Sequence, residues 1–329
     1  MRNKEIKIAV AGCGYWGKNL VRNFAELGAL AAVFDAHTQT CHAMAEKYSV
    51  RPESWKNILS DPAIDGVAIA APASLHYTLA SEALAAGKHV FVEKPLALTT
   101  QNAKELIAQA EEKRKMLMVG HLLQYHAAFI KVKELLTAGA LGTLRRIYSN
   151  RLSFGKIRTE ENVLWSFAPH DISMILALAG TEPTHVTATG SNHISPDIAD
   201  YAHVHLTFPG IQAHIFVSWL NPFKEHKLVV VGSDAMVVFD DTLPPEQKIA
   251  LYRHKAAVTE GVPILDKAEA EYIAFEVKEP LKEECQHFID CAAGGHVPRT
   301  DGHEGLRVLR VLERAQTAMD GKIHKEEAA

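Results

Sequence analysis

The strongest constraint on this chain is an apolar run, Ile6 to Ala11, that passes straight into Gly12-Cys13-Gly14-Tyr15-Trp16-Gly17 and then into a helical pattern from Trp16 to Leu27. Strand, glycine-rich turn and helix in immediate succession are the opening of a dinucleotide-binding unit. Gly12 permits the tight turn, Gly14 lets the backbone approach a pyrophosphate, and Gly17 lets helix and strand pack closely. The helix N-terminus then offers N–H groups to the anion. A second apolar run, Ala29 to Phe34, is followed by Asp35, eighteen residues past Gly17. A carboxylate there accepts hydrogen bonds from the adenosine ribose hydroxyls and repels a 2′-phosphate. Ala36 rather than an arginine comes next, so the pattern points to NAD over NADP.

The beat continues: Gln39 to Tyr48 helical, Gly66 to Ala70 extended, Leu75 to Ala86 helical, His89 to Val92 extended, Thr99 to Lys113 helical and Met116 to Val119 extended. Apolar strands without polar alternation are buried on both faces, as a parallel sheet covered by helices requires. The reading is a Rossmann-type, doubly wound α/β domain over residues 1–121. Beyond it the extended runs alternate in polarity and follow one another through turns: Arg146 to Phe154, Val186 to His193, Ala202 to Phe208, Ile211 to Trp219 and Leu228 to Gly232. Residues 122–329 are expected to form an α+β domain with an open, mostly antiparallel sheet, interrupted by helices at Glu160 to Ala179, Leu281 to Cys291 and Gly302 to Met319. Such a sheet exposes an apolar face that a second subunit would cover, so a homodimer or homotetramer is expected. The tail after Lys325 is expected to fray.

Composition narrows the function. The chain has 329 residues, 47% hydrophobic and 22% charged, the balance of an ordinary globular protein of about two domains. A net charge of −4 with no continuous basic stripe argues against a nucleic-acid partner. No apolar run approaches the ~20 residues of a membrane span and no signal peptide is seen, so a cytoplasmic location is expected. Cys13, Cys41, Cys285 and Cys291 form no CxxC pair and read as thiols rather than a disulfide or zinc framework. His121, His126, His203 and His205 show no carboxylate or thiol at metal spacing, so no metal is expected.

Ala71 to His76 follows the run ending at Ala70, at the carboxyl edge where doubly wound folds bind ligands. Pro72, Ser74 and His76 therefore join Tyr15 and Trp16 as cofactor-binding candidates, with Tyr15 and Trp16 expected to pack against the domain or its ligand. Next, Glu93-Lys94-Pro95 sets a charged pair directly after a buried strand, either a salt-bridged terminus or a catalytic lysine.

Gly12 to Gly17, Asp35, Pro72 to His76 and Glu93-Lys94-Pro95 together resemble the Gfo/Idh/MocA oxidoreductases. The likeness extends to Glu284-Cys285-Gln286-His287-Phe288-Ile289 and to Pro298 to Leu306. The resemblance implies that Lys94 lies beside the nicotinamide and the substrate hydroxyl, with Glu93 orienting it, and that the Lys94–Pro95 bond is cis. The family also carries Asp and His four residues apart on one helix; here His170 matches the histidine, while Ser166 stands where the aspartate is expected. His170 is thus the implied base, and Asp171, facing another way, reads as structural.

Within the family, Glu161-Asn162, Trp165 to Asp171, Asn150-Arg151-Leu152 and Ser218 to Lys224 resemble the branch that oxidises the 3-hydroxyl of UDP-N-acetylglucosamine ahead of an aminotransferase, as in diamino-sugar and lipid A synthesis. The resemblance leaves open the C6-oxidised sugar, inositol or a free hexose as substrate, and outside enzymes an NAD-sensing regulator. A UDP-sugar brings a diphosphate, for which Arg151, Lys156, Arg158 and Lys224 are the candidate cations. Gln124 and Trp165 are further substrate-contact candidates.

Overall fold

The first apolar run becomes β1 (Ile8–Ala11), buried at every residue, in the computed structural model, which describes residues 5–326. The chain continues through α1 (Gly17–Glu26), β2 (Leu30–Phe34), α2 (Thr38–Tyr48), β3 (Arg51–Pro52), α3 (Trp55–Ser60), β4 (Gly66–Ile69), α4 (Ala73–Ala85), β5 (His89–Glu93), α5 (Thr100–Lys113) and β6 (Leu117–Gly120). The strands form one six-stranded sheet, β3-β2-β1-β4-β5-β6, parallel throughout. Strand order reverses between β1 and β4, which makes the crevice above their carboxyl ends the binding edge of the sheet. The short β3 and α3 were not anticipated, because a two-residue strand and a six-residue helix started by the Ser54 side chain leave no periodic signal.

After a 3-10 turn at Leu122–Tyr125, the chain forms α6 (Ala127–Thr137), β7 (Leu144–Phe154) and α7 (Val163–Ala179). Nine more strands follow among the described residues before the closing helices: β8 (His185–Ser191), β9 (Tyr201–Phe208), β10 (Ile211–Ser218), β11 (Leu220–Gly232), β12 (Met236–Asp240), β13 (Ile249–Tyr252), β14 (Lys255–Thr259), β15 (Val262–Asp266) and β16 (Glu271–Tyr272). An eight-stranded sheet runs β16-β13-β12-β11-β7-β10-β9-β8, antiparallel except where β7 meets β10, while β14 and β15 pair separately. The Asn162 side chain caps α7 by accepting from the Trp165 N–H, and Gly180, at φ +70°, ends it.

The open face of this sheet carries stacked aromatic and imidazole rings. Tyr201 and His203 of β9 and His214 and Phe216 of β10 line it, with His203 stacked on Phe216 at 4.2 Å and Tyr148 stacked on His214 at 5.1 Å. Partial burial pushes both imidazoles down from their ordinary range, keeping them neutral at pH 7.

The chain closes with α8 (Pro280–Gly294) and α9 (Gly302–Glu326). It divides into two compact units, one running to Tyr125 and including Lys278–Leu309, the other containing His126–Val277 and the residues from Arg310. The division at residues 121 and 122 read from the sequence therefore misplaces α8 and the start of α9. The reason is burial: Leu281, Cys285 and Phe288 of α8 join the core of the parallel sheet, and the Phe288 ring meets Phe24 at 6.2 Å and Phe91 at 5.8 Å, both edge-on. The tail expected to fray after Lys325 falls, from residue 327, outside the described residues. No helix among the described residues is long and apolar enough to cross a membrane.

Candidate active site

The glycine loop shows why each of its glycines is there. Gly12 has φ +91°, and a Cβ on it would lie 2.7 Å from the Ala70 carbonyl carbon. A Cβ at Gly17 would lie 1.8 Å from the Gly12 carbonyl oxygen. At Gly14 a Cβ would meet nothing within 4 Å, so the protein's own packing makes no demand for glycine there. Close approach of a ligand does make that demand. No side chain caps α1 and no acidic residue lies in its first turn, which leaves its positive end suited to a diphosphate. These residues fit a dinucleotide.

Asp35 sits at the end of β2 with its carboxylate fixed by two backbone donors, the Cys13 N–H at 2.7 Å and the His37 N–H at 2.8 Å. Held this way it keeps lone pairs for ribose hydroxyls. Burial, with Asp35 next to it, pushes the Cys13 thiol up to about 12, so the cysteine inside the loop stays protonated and adds no charge. Tyr15 is 83% exposed and so does not pack into the core of its domain; Lys18 approaches its ring. Trp16 is tied down instead, its indole N–H donating to Glu93 Oε1.

Glu93 ends β5 as a buried carboxyl whose other oxygen accepts the Lys94 backbone N–H at 3.3 Å. It lies against Gly120, its partner on β6, where a Cβ would fall 2.8 Å from Glu93 Oε2. Burial raises this carboxyl above its usual range, opposed by the Trp16 hydrogen bond and the Lys94 charge. Lys94 follows, partly buried, and its bond to Pro95 is cis. The buried His76 ring bridges the two neighbouring loops, with Nδ1 at 2.7 Å from the Pro95 carbonyl and Nε2 at 2.9 Å from the Ala71 carbonyl. Pro72 and Ser74 lie exposed at the start of α4. The glycine loop, Asp35, the Pro72–His76 turn and Glu93-Lys94 thus share the carboxyl edge of one sheet. Gln124 is buried in the turn after β6, and its carbonyl accepts from Arg299 at 2.5 Å.

In the other unit, α7 carries Ser166 and His170 one turn apart, Ser166 buried and His170 partly so. Asp171 points elsewhere. It is fully buried, accepts from Ser149 Oγ at 2.5 Å, and takes the Arg151 fork at 2.7 Å (Nε) and 3.1 Å (Nη2). That corrects the reading of Arg151 as a diphosphate ligand, since its guanidinium is engaged by a carboxylate on the neighbouring helix. Arg151→Met is expected to destabilise the protein by about 3 kcal/mol, because Asp171 would remain as an uncompensated buried charge. Chemical denaturation of the two proteins measures this.

Trp165 is likewise occupied, its indole N–H donating to Gln316 Oε1 at 3.0 Å. Lys156, Arg158 and Lys224 are exposed. Antiparallel pairing of Leu220 with Phe154 and of Glu225 with Leu152 leaves a bulge containing Lys224 at the sheet end where Lys156 emerges from β7. Arg158 pairs with Glu161 at 2.7 Å.

Several titratable groups had no sequence signal because their partners are remote. His121 lies 2.5 Å from Glu304, and His126 lies 3.3 Å from Asp241, which also holds Lys248 at 2.6 Å. His226 stands opposite Arg151 in the β11–β7 register, and burial, then Arg151 and Lys224, pushes it down to about 4. Glu284 was detectable, as a charged residue on the apolar Leu281–Phe288 stripe. No group of three or more metal-binding side chains occurs among the described residues.

Comparison with known proteins agrees with this architecture. Residues 6–121 match the oxidoreductase family with an NAD-binding Rossmann fold, and residues 129–238 match the GFO/IDH/MocA C-terminal domain. The chain belongs to the Gfo/Idh/MocA oxidoreductases. It is 26% identical to the UDP-N-acetylglucosamine 3-dehydrogenase of Acidithiobacillus ferrooxidans, over 98% of this chain and 99% of that one. A crystal form of that enzyme superposes with a TM-score of 0.85 at 27% identity, covering 96% of this chain and 98% of the other. The scyllo-inositol 2-dehydrogenase (NAD(+)) of Bacillus subtilis is 26% identical over 89% of this chain and 88% of its own length. The NADP(+)-named scyllo-inositol 2-dehydrogenase of the same organism is 25% identical over 81% and 80%. The cofactor class is therefore a nicotinamide dinucleotide.

Proposed function

We propose that this protein is an NAD-dependent dehydrogenase that oxidises the 3-hydroxyl of UDP-N-acetylglucosamine to the 3-keto sugar. Support for the chemistry rests on one observation: a lysine emerging from a buried strand at the carboxyl edge, beside a loop shaped for a diphosphate. Support for the substrate comes from the full-length likeness to the Acidithiobacillus enzyme. The bound nicotinamide supplies the two-electron acceptor. His170 takes the hydroxyl proton as alkoxide character develops. The Lys94 ammonium hydrogen-bonds the same oxygen and stabilises its growing charge. Glu93, held by Trp16 and by the Lys94 backbone, fixes where the lysine starts. Lys156, Arg158 and Lys224 receive the substrate diphosphate, and the chain works as a homodimer or homotetramer.

The substrate assignment is tested by incubating the protein and NAD with UDP-N-acetylglucosamine, its C6-oxidised form, myo-inositol and glucose, following reduced cofactor by absorbance. Turnover with the first is expected to exceed the rest. Preference for inositol or glucose would overturn the UDP-sugar reading and leave the dehydrogenase standing.

Cofactor choice rests on Asp35. Asp35→Asn keeps the side-chain shape and one of the two acceptor oxygens that the Cys13 and His37 N–H groups use, and removes the charge facing the 2′ position. The ratio of NADP to NAD dissociation constants is expected to fall about tenfold, the scale of one charge-assisted contact. Competitive titration with both dinucleotides measures it.

A further inference from the structure

Hydrophobic burial does not explain one residue on the inner face of α8. Glu284 lies three residues after Leu281 and four before Phe288, so it shares their face of the helix, and it is 0% exposed. Among the described residues, neither of its carboxyl oxygens has a hydrogen-bond partner. Phe288 rests on Phe91 at 5.8 Å, and Phe91 and Glu93 point to the same face of β5. Four helical residues rise ~6 Å and two strand residues span ~6.6 Å. A helix that seats Phe288 on Phe91 can therefore carry Glu284 over Glu93.

We propose that Glu93 and Glu284 hold one proton between them at neutral pH, that it resides on Glu284, and that Glu284 is thereby a positioning residue that leaves Glu93 the single negative charge of the pair behind Trp16 and the phosphate loop. The inference rests on the dinucleotide reading of that loop. Two neighbouring carboxyls in a dry site do not both ionise, and the charge settles where donors are. Glu93 accepts two N–H groups and Glu284 accepts none. Burial, with Glu93 and Glu304 next, accordingly holds Glu284 well above the usual carboxylate range.

Other polar groups also surround Glu284. Glu304 of α9 is paired with His121. The Tyr125 hydroxyl bonds Thr300 at 2.9 Å and is pushed upward by burial, with the Arg299 guanidinium over its ring. Burial raises the Cys285 thiol as well, and Glu279 at the head of α8 is paired with Arg22. Loss of the shared proton at alkaline pH would double the pair's charge behind Trp16, the residue at the head of α1. That opposes an anion held at the N-terminus of the helix.

Two measurements test this. Infrared difference spectra of the whole protein and Glu284→Gln at neutral pH are expected to show a protonated-carboxyl carbonyl band in the first that is missing from the second. For NAD binding measured by calorimetry from about pH 6.5 to about pH 9.5, the dissociation constant of the native protein is expected to rise roughly fivefold, whereas the ratio stays near one in Glu284→Gln. Absence of the infrared band, or parallel pH profiles in the two proteins, overturns the proposal. The infrared titration of the native protein alone decides the proton's presence if the variant does not fold. Failure of both proteins to bind NAD at any pH would overturn the dinucleotide reading, which the infrared result does not depend on. The raised carboxyl also has a sign in stability: its penalty is absent below the ordinary value of 4.5 and grows as pH climbs toward the folded-state value. The melting temperature of Glu284→Gln is thus expected to gain on the native protein as pH increases.

Discussion

Gly17→Ala will lose the folded dinucleotide unit, whereas Gly14→Ala, three residues earlier, will fold normally and lose dinucleotide affinity. At Gly17 the added carbon would fall 1.8 Å from the Gly12 carbonyl oxygen and 2.8 Å from its carbonyl carbon. Both are backbone atoms, and Gly12 is itself confined by Ala70 at φ +91°, so neither side of the clash can give without moving β1 or β4. The expected cost is about 4 kcal/mol or more, the range reserved for disrupted backbone packing. At Gly14 the same carbon meets no protein atom within 4 Å, so thermal melts of that variant should match the native protein. A methyl at the surface that faces the pyrophosphate should nevertheless raise the NAD dissociation constant about tenfold or more. Equal melting temperatures for the two variants would contradict this account of the loop.

Lys94→Met and His170→Asn are expected to lower kcat by about a hundredfold to ten-thousandfold each, the range for removing a positioned proton acceptor or the cation that stabilises a developing alkoxide. Methionine keeps the volume and flexibility of lysine without its charge, and asparagine keeps a polar group without a base near neutral pH. Because Asp35 and the glycine loop remain, NAD binding should stay within about threefold in both variants, which separates a chemical role from a structural one. If the two residues serve one oxygen, the double variant should lose much less than the product of the single losses. Full multiplicative loss would mean that they act independently.

The parallel sheet was legible because its strands are short, apolar and separated by amphipathic helices, and because Gly12, Gly14 and Gly17 each answer a local demand. Asp35 and Lys94 could be placed for the same reason, since both stand at the first residue after or the last residues of a strand. The second unit was less legible. Helix α6 begins with His126, whose ring nitrogen accepts the Ala128 N–H at 3.1 Å, a cap that resembles no common start signal. The strands from Met236 onward are only two to five residues long, too short to show a clear alternation. Arg151 was misread because its partner Asp171, twenty residues on, becomes adjacent only when α7 covers β7. For the open sheet face, alternation identifies which residues point outward, while His203, His214, Tyr148 and Phe216 acquire their stacked character only across strands. Burial of α8 against Phe24 and Phe91 joins segments more than 190 residues apart, beyond the reach of any local pattern.

The most direct test of the central claim is a single turnover of the protein with NAD and UDP-N-acetylglucosamine carrying deuterium at C3, analysed by mass spectrometry of the recovered dinucleotide. The account predicts that the label appears in the reduced cofactor with the native protein and that this transfer is lost on the same timescale with Lys94→Met. Label that stays in the sugar while reduced cofactor forms would contradict oxidation at the 3-position, and undiminished transfer in Lys94→Met would remove the lysine from the chemistry.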